Sequence, residues 1–409
     1  MKKAILYVGN FFYPDGNAAG KRVYGNIKLI KECGYIPLIL CFDKEQGEYF
    51  SRVEIDGASV YTIPYSDGVS RLDNRKPFRA FKLIIQEYSK KYFISAVIMY
   101  TTMGTFDFNR KIINYCKREN IKTVYDFCDY FDVIQKNNIF KYYIKLRDLR
   151  VLKNDVLAKC DGIIAISSFL EKFVNRKCVK IILPPLAVTK CEEIGQPGEK
   201  GFVTIAYASY ISDKNRPIIE WKDRIDLFID IFYDIKVQNG NDRFLLKFVG
   251  FTKIDFINML PIELKQIYEK KIGELGKNIV FIGQCSNADA QIQIRNSDYT
   301  ILLRDSKTST NAGFPTKISE SISLGVPVIT NITSDIDFYI KDGKNGIIVP
   351  GPLSIEETKS IINSVVCQGE AKAYELKSNT IQDSPFYYSN YVGNFGRFLN
   401  KLEEINSDI

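Results

Sequence analysis

The chain has 409 residues, 45% hydrophobic and 13% aromatic, which is enough for two domains with cores of their own and argues against long disorder. It contains no histidine, which removes Ser-His-Asp chemistry, His-ligated metals and an imidazole base together. Its nine cysteines, an odd number without a Cys-x-x-Cys pair, read as reduced core residues and not as a disulfide frame or a zinc site.

Net charge is +8, and it is unevenly spread: residues 1–190 hold 32 Lys+Arg against 19 Asp+Glu, the remainder 24 against 29. The basic half either faces an anionic partner (phospholipid, nucleic acid or an anionic acceptor) or is simply a solvated surface. No apolar run reaches the roughly 20 residues that span a bilayer. Met1-Lys2-Lys3 leads into a short strand and not a signal peptide, so a cytoplasmic protein is expected.

Residues 4–8 predict a buried first strand, followed by a loop and a helix from Ala18-Ala19-Gly20-Lys21-Arg22 to about Cys33. Gly34 ends that helix, and residues 35–42 are the next strand. This β–loop–α–β start is that of a doubly wound sheet, but it lacks Gly-x-Gly-x-x-Gly, against a dinucleotide dehydrogenase. Residues 60–64 predict a strand, and the basic stretch 71–92 carries Phe78, Phe81, Ile84, Ile85 and Tyr88 near helical spacing. Residues 96–100 and 124–127 are central strands whose C-terminal loops are where such folds place chemistry. Asp126 and Asp129 fall there: a carboxylate at that point orients an acceptor hydroxyl or takes its proton, or else caps a helix or pairs with a lysine.

Residues 138–157 predict a helix that interleaves Lys141, Lys145, Arg147, Arg150 and Lys153 with aromatic and aliphatic side chains. It is either an interfacial helix on anionic lipid or a packed helix with a basic outer face, the latter favoured. Residues 161–168 form a strand ending in serines that cap the next helix, and residues 181–185 are the last strand before a Gly/Pro/Glu-rich linker at 188–200. A second α/β pattern starts at 202–207. Lys222, with Arg216 or Lys214 before it, precedes an amphipathic helix at 225–232. Strands follow at 245–250, 278–283 and 298–303, the last delivering Arg304 to the sheet's C-terminal edge.

Residues 311–330, NAGFPTKISESISLGVPVIT, hold the strongest pattern. A small-residue loop opens a helix at about Thr316–Leu324, Gly325 and Pro327 end it, and a short buried strand follows. The helix start directs unpaired N–H groups and a positive dipole end outward, a phosphate site. Lys317 adds a cation there, and Glu320 one turn on can accept two ribose hydroxyls.

This stretch resembles the C-terminal signature of the retaining, nucleotide-sugar-dependent glycosyltransferases of the GT-B fold, the large group 1 family (family 4). The matching positions are Gly313-Phe314-Pro315, Glu320 and Leu324-Gly325-Val326-Pro327-Val328; the family's further glutamate, eight residues before Glu320, is here Ala312. The resemblance implies an α/β fold of two Rossmann-like domains facing a central cleft. Residues 1–190 would form the acceptor-side domain, rejoined by a crossing helix at about 387–409, and residues 191–386 the nucleotide-sugar domain. It implies donor contacts from Gly20, Arg216, Lys222, Arg304, Gly313, Phe314, Lys317 and Glu320, with the base held near Gly283-Gln284. Asn17, Lys21 and Asp126 would lie on the acceptor side, and Asp129 and Lys222 would serve the reaction; for the first loop the other reading is a plain turn and helix cap.

The implied activity is sugar transfer with retention from a nucleoside diphosphate sugar, UDP-sugar above others, to a glycan or lipid-linked acceptor in bacterial surface polysaccharide assembly. No metal or other cofactor is implied, nucleic acid is not an expected partner, and peripheral contact with an anionic membrane is. Competing readings are a catalytically silent binding or scaffold subunit, which Ala312 keeps open, and a sugar-nucleotide epimerase or phosphorylase.

Overall fold

The computed structural model describes residues 1–43, 50–64, 75–131, 139–194, 200–209, 218 and 221–405. The chain divides into two compact units, Met1–Val188 with Ala312–Phe314 and Tyr387–Ile409, and Thr189–Asn311 with Pro315–Phe386.

In the first unit the order is β1 (Lys3–Gly9), α1 (Ala18–Glu32), β2 (Ile36–Asp43), β3 (Ser51–Ile55), β4 (Ala58–Pro64), α2 (Arg75–Tyr88), β5 (Phe93–Tyr100), α3 (Phe106–Arg118) and β6 (Lys122–Phe127). There follow α4 (Ile139–Val151), continued by a π-helical turn at Leu152–Leu157, then β7 (Gly162–Ala165), α5 (Ser168–Phe173) and β8 (Val179–Ile182). The sheet runs β3-β4-β2-β1-β5-β6-β7-β8. Its pairings are parallel except β3 on β4. β1 and β5 sit centrally and are buried almost throughout, as a strand covered on both faces must be. β3 was not legible in the sequence: its middle is exposed, and it gains its place by hairpin pairing with β4.

The second unit holds β9 (Val203–Ala208), α6 (Ile225–Val237), β10 (Phe244–Val249), α7 (Lys253–Met259), α8 (Ile262–Leu275), β11 (Ile279–Ile282), α9 (Asn287–Arg295), β12 (Tyr299–Leu302) and α10 (Thr308–Ala312). It continues with α11 (Thr316–Ser323), β13 (Val328–Asn331), α12 (Ile336–Tyr339), β14 (Gly346–Val349) and α13 (Ile355–Asp383). Its six strands run β11-β10-β9-β12-β13-β14, all parallel. These are two Rossmann-like α/β bodies.

The last helix, α14 (Val392–Glu404), belongs to the first unit. Gly162 of β7 makes room for its Phe398 and Leu402, since a Cβ there would stand 3.1 Å from both side chains. Glu403 accepts from Lys3 at 2.5 Å, Ser95 at 2.8 Å and Tyr35 at 2.9 Å. No helix among the described residues is long and apolar enough to cross a membrane.

Candidate functional site

In a parallel sheet the carboxyl ends of the strands lie together, and the loops there carry the ligand. In the second unit this edge gathers residues from three separate stretches around Asp223. A backbone bridge pairs Asp223 with Arg304, just past β12; Tyr207 stands next to the last residue of β9, and Lys317 lies in the first turn of α11. The Asp223 carboxylate is 5% exposed. Its Oδ1 accepts from Arg304 Nε at 2.6 Å, and its Oδ2 from Lys317 Nζ at 2.5 Å and the Tyr207 hydroxyl at 2.7 Å. Lys317 donates also to the Tyr207 oxygen at 3.0 Å and to Ser209 Oγ at 3.2 Å, and stands 4.6 Å from the centre of the Tyr207 ring.

The charges set one another. Burial by itself raises the Asp223 carboxyl, but the Lys317 ammonium and the Arg304 guanidinium outweigh it and hold the group well below the usual carboxylate range. For Lys317, burial favours the neutral amine and Asp223 more than reverses this, so its value is raised. Burial and the neighbouring Asp223 push the Tyr207 phenol up to about 12, keeping it a proton donor to the carboxylate. Two cations and one anion leave a net positive charge at the mouth of α11.

That mouth is open to an anion. The N-cap of α11 is Pro315, with no side chain capping the first turn and no acid within it, so its first N–H groups are unclaimed by side chains. The two terminal nitrogens of Arg304 make no hydrogen bond with the described residues, although the side chain is only 12% exposed. Lys222 is exposed and has no ion-pair partner among the described residues. Glu320 is half-buried one turn beyond Lys317, and the two line one recess with Tyr207 and Ile294. The structure therefore brings together Arg304, Lys317 and Glu320 of the expected donor set. Arg216 and Lys214 lie outside the described residues.

Gly313 is half-buried and Phe314 buried. Both are grouped with the first unit, where the carbonyl of the adjoining, fully buried Ala312 accepts from Ser167 Oγ at 2.5 Å. Ser167 also caps α5, accepting from the Leu170 amide, the role expected of it.

One expectation for the first unit is corrected, and the first loop shows a helix cap. Asp126 does not face an acceptor. It lies inside β6 with a fully buried side chain and binds the buried Arg22 guanidinium, 2.7 Å from its Nη2. Its Oδ2 also accepts from the Tyr7 hydroxyl at 2.5 Å. The Gly20 amide is not available to a diphosphate, because it donates to Asn17 Oδ1 at 2.7 Å. Gly20 is glycine because a Cβ would stand 2.1 Å from the Phe12 carbonyl oxygen. The Asn17 carbonyl oxygen is accordingly spent as the N-cap of α1, the plain reading of that loop. Lys21 is half-buried in the first turn of α1, and Asp129 is half-buried just beyond β6.

The sequence reading missed Asp223, Tyr207 and Ser209. The available signal was an acid wedged between Lys222 and Arg224 at the end of a loop: a lone carboxylate among cations is where ion pairs form. Among the described residues no group of three His, Cys, Asp or Glu could hold a metal ion.

Comparison with known proteins gives a consistent class. Residues 218–382 match the family described as glycosyl transferases, group 1. An uncharacterised glycosyltransferase of Methanocaldococcus jannaschii is 21% identical over 280 residues, which make up 65% of this chain and 64% of that protein; the alignment thus spans under two thirds of the relative's length. Among solved structures, sucrose-phosphate synthase from Thermosynechococcus elongatus superposes with a TM-score of 0.63 at 14% identity, covering 98% of this chain and 99% of that one. Anabaena HepE in complex with UDP gives 0.60 at 15% identity, covering 97% and 100%. A lipopolysaccharide outer core galactosyltransferase gives 0.60 at 17%, covering 98% and 99%. At these identities the superpositions speak for the fold. Residues 218–382 thus match a group 1 glycosyl transferase model, and the two Rossmann-like bodies have the fold of these solved structures.

Proposed function

We propose that this chain moves a sugar from a nucleoside diphosphate donor to a glycan or lipid-linked acceptor, with retention of anomeric configuration. UDP is the proposed nucleotide, supported by the UDP bound in HepE. The observation that carries the reading is the convergence of Arg304, Lys317 and the open start of α11 on one edge of the sheet.

The leaving diphosphate gains negative charge as the glycosidic bond breaks, so cations fixed in advance stabilise the transition state more than the bound donor. Arg304 meets it with its terminal nitrogens, Lys317 with its ammonium, α11 with backbone amides and Lys222 from the rim. Gly313 and Phe314 adjoin this loop, and Glu320 holds the ribose. Asp129 remains the candidate acceptor-orienting carboxylate, since Asp126 is committed to Arg22. No metal is required on this reading, because cations and a helix start neutralise the diphosphate. The proposed setting is surface polysaccharide assembly in the cytoplasm, peripheral to an anionic membrane.

One observation favours the silent-subunit alternative: Ala312, at the place of the family's further glutamate, is fully buried and offers only its carbonyl. Donor turnover separates the two readings. Purified protein with UDP-sugars and candidate acceptors is expected to release UDP and form product with the donor's anomeric configuration by NMR. UDP binding without any sugar-bond cleavage would favour the silent subunit.

Glu320→Ala is expected to weaken UDP affinity about tenfold or more in titration calorimetry, the loss of a charge-assisted contact of about 1.5–3 kcal/mol. Unchanged affinity would remove Glu320 from the ribose.

A further inference from the structure

The sequence favours a packed helix over the stretch that became α4, and the structure divides it. Its C-terminal part is anchored: Val151 and Leu152 are buried, and Asp148 is buried with its carboxylate accepting from the Gly104 amide. The N-terminal part stands out. Phe140 is 78% exposed, Tyr143 63% and Ile144 44%. These are positions i, i+3 and i+4 of one helix, so they form a single stripe, and Arg147 at i+7 extends it with a side chain 68% exposed. Arg150, three residues further, is exposed beside it, as is Lys145 on the flank. Neither Arg150 nor Lys145 has an acidic partner among the described residues. Asp148, the one acid between Ile139 and Val151, is turned into the core.

Asp107 holds Arg147 at 3.1 Å, so Lys145 and Arg150 are the cations left without an acid among the described residues, beside an exposed apolar stripe that a basic partner would not cover. A second helix supports the same end of the unit. α2, like α4, follows a parallel strand and therefore begins at the carboxyl edge of the sheet. It packs on α3, which packs on α4. Its first turns expose Arg75, Lys76 and Arg79 with no acid in the first turn. Exposed cations at a helix start oppose the helix dipole, and Arg79 of α2 has no acid in the first turn. An external anionic surface would offset that cost.

We propose that the N-terminal half of α4 is a membrane-docking element. Phe140, Tyr143 and Ile144 enter the headgroup boundary of a bilayer, while Arg147, Arg150 and the exposed start of α2 meet anionic phospholipid headgroups. This deepens the membrane-peripheral part of the proposed function by naming its surface, and it is separable from the donor site, since docking needs no nucleotide. A soluble polyanion would satisfy the arginines and leave Phe140 in water; a bilayer satisfies both.

The test is vesicle flotation of the full chain with phosphatidylcholine alone and with about 30% phosphatidylglycerol. Wild type is expected to float with the anionic vesicles, to stay below with the neutral ones, and to be released by added salt. Arg147→Gln with Arg150→Gln should weaken anionic-vesicle binding about 30-fold, two cations near a charged surface at the usual worth of each; Asp107 keeps its bond to Arg110 in that variant. Phe140→Ser with Ile144→Ser should weaken it about tenfold or more at unchanged charge. Both variants should melt with wild type and bind UDP as wild type does, which separates loss of docking from loss of the donor site. Indifference to vesicle charge, or wild-type flotation by both variants, would overturn the proposal, as would capture by inorganic polyphosphate without vesicle binding.

Discussion

Asp126→Ala is expected to cost the first unit about 3–5 kcal/mol, because it leaves a charged guanidinium buried without its counter-ion. Arg22 and Asp126 have side chains 2% and 0% exposed. Arg22 Nε lies 3.1 Å from both carboxylate oxygens, and its Nη1 donates to the Leu183 carbonyl at 2.9 Å. Tyr7 and Asn26 complete the cluster, Asn26 Nδ2 donating to the Tyr7 hydroxyl at 2.9 Å. Burial pulls the Arg22 guanidinium toward its neutral form, and Asp126 outweighs it, so the group is held charged. Without Asp126 neither ionisation nor solvation relieves the cost. Urea unfolding followed by circular dichroism should show a midpoint about 2 M lower, for a slope of ordinary size. Arg22→Met combined with Asp126→Leu should recover most of the loss, since an apolar pair of similar volume requires no desolvation. A loss below about 1 kcal/mol in the single variant would mean that water reaches the pair.

The same pair shows why the sequence misled at that point. A short apolar strand ending in an acid looks alike whether the acid meets substrate or a cation 104 residues earlier in the chain, and periodicity carries no partner information. Elements with strong periodicity were legible: β1, α1, β6 and the loop–helix–strand unit around α11 fall within a residue or two of their expected bounds, and β5 starts three residues earlier than expected. Gly34 at φ 83° and Gly325 at φ 76° end α1 and α11 where their conformational freedom demanded. β3 was not legible, being exposed and short. The proposed anion site was partly legible, because a helix start with a lysine is local chemistry. Asp223, which organises it, was not, since its importance comes from three partners brought in by Tyr207, Arg304 and Lys317.

Lys317→Ala is expected to lower kcat/KM for the donor by about 10²–10³, the scale seen when one fixed charge-stabilising group is removed from a site of developing negative charge. The variant also touches stability, and the two effects have different signatures. Wild-type Asp223 has a folded-state value depressed below its unfolded one, so its contribution is complete above the unfolded carboxyl value of about 4 and is lost as pH falls toward the folded value. Removing Lys317 leaves Asp223 with Arg304 and Tyr207, moves the folded value back toward the unfolded one, and so flattens the fall of stability between about pH 5 and pH 2. Urea midpoints measured across that range check the linkage. Donor turnover at neutral pH, with the folded fraction confirmed by thermal melting, checks the catalytic term. A flattened acid limb with turnover intact would assign Lys317 to the Asp223 cluster alone and leave the diphosphate to Arg304, Lys222 and the amides of α11. Lost turnover with an unchanged acid limb would mean that the ammonium faces the donor and adds little to the folded-state value of Asp223.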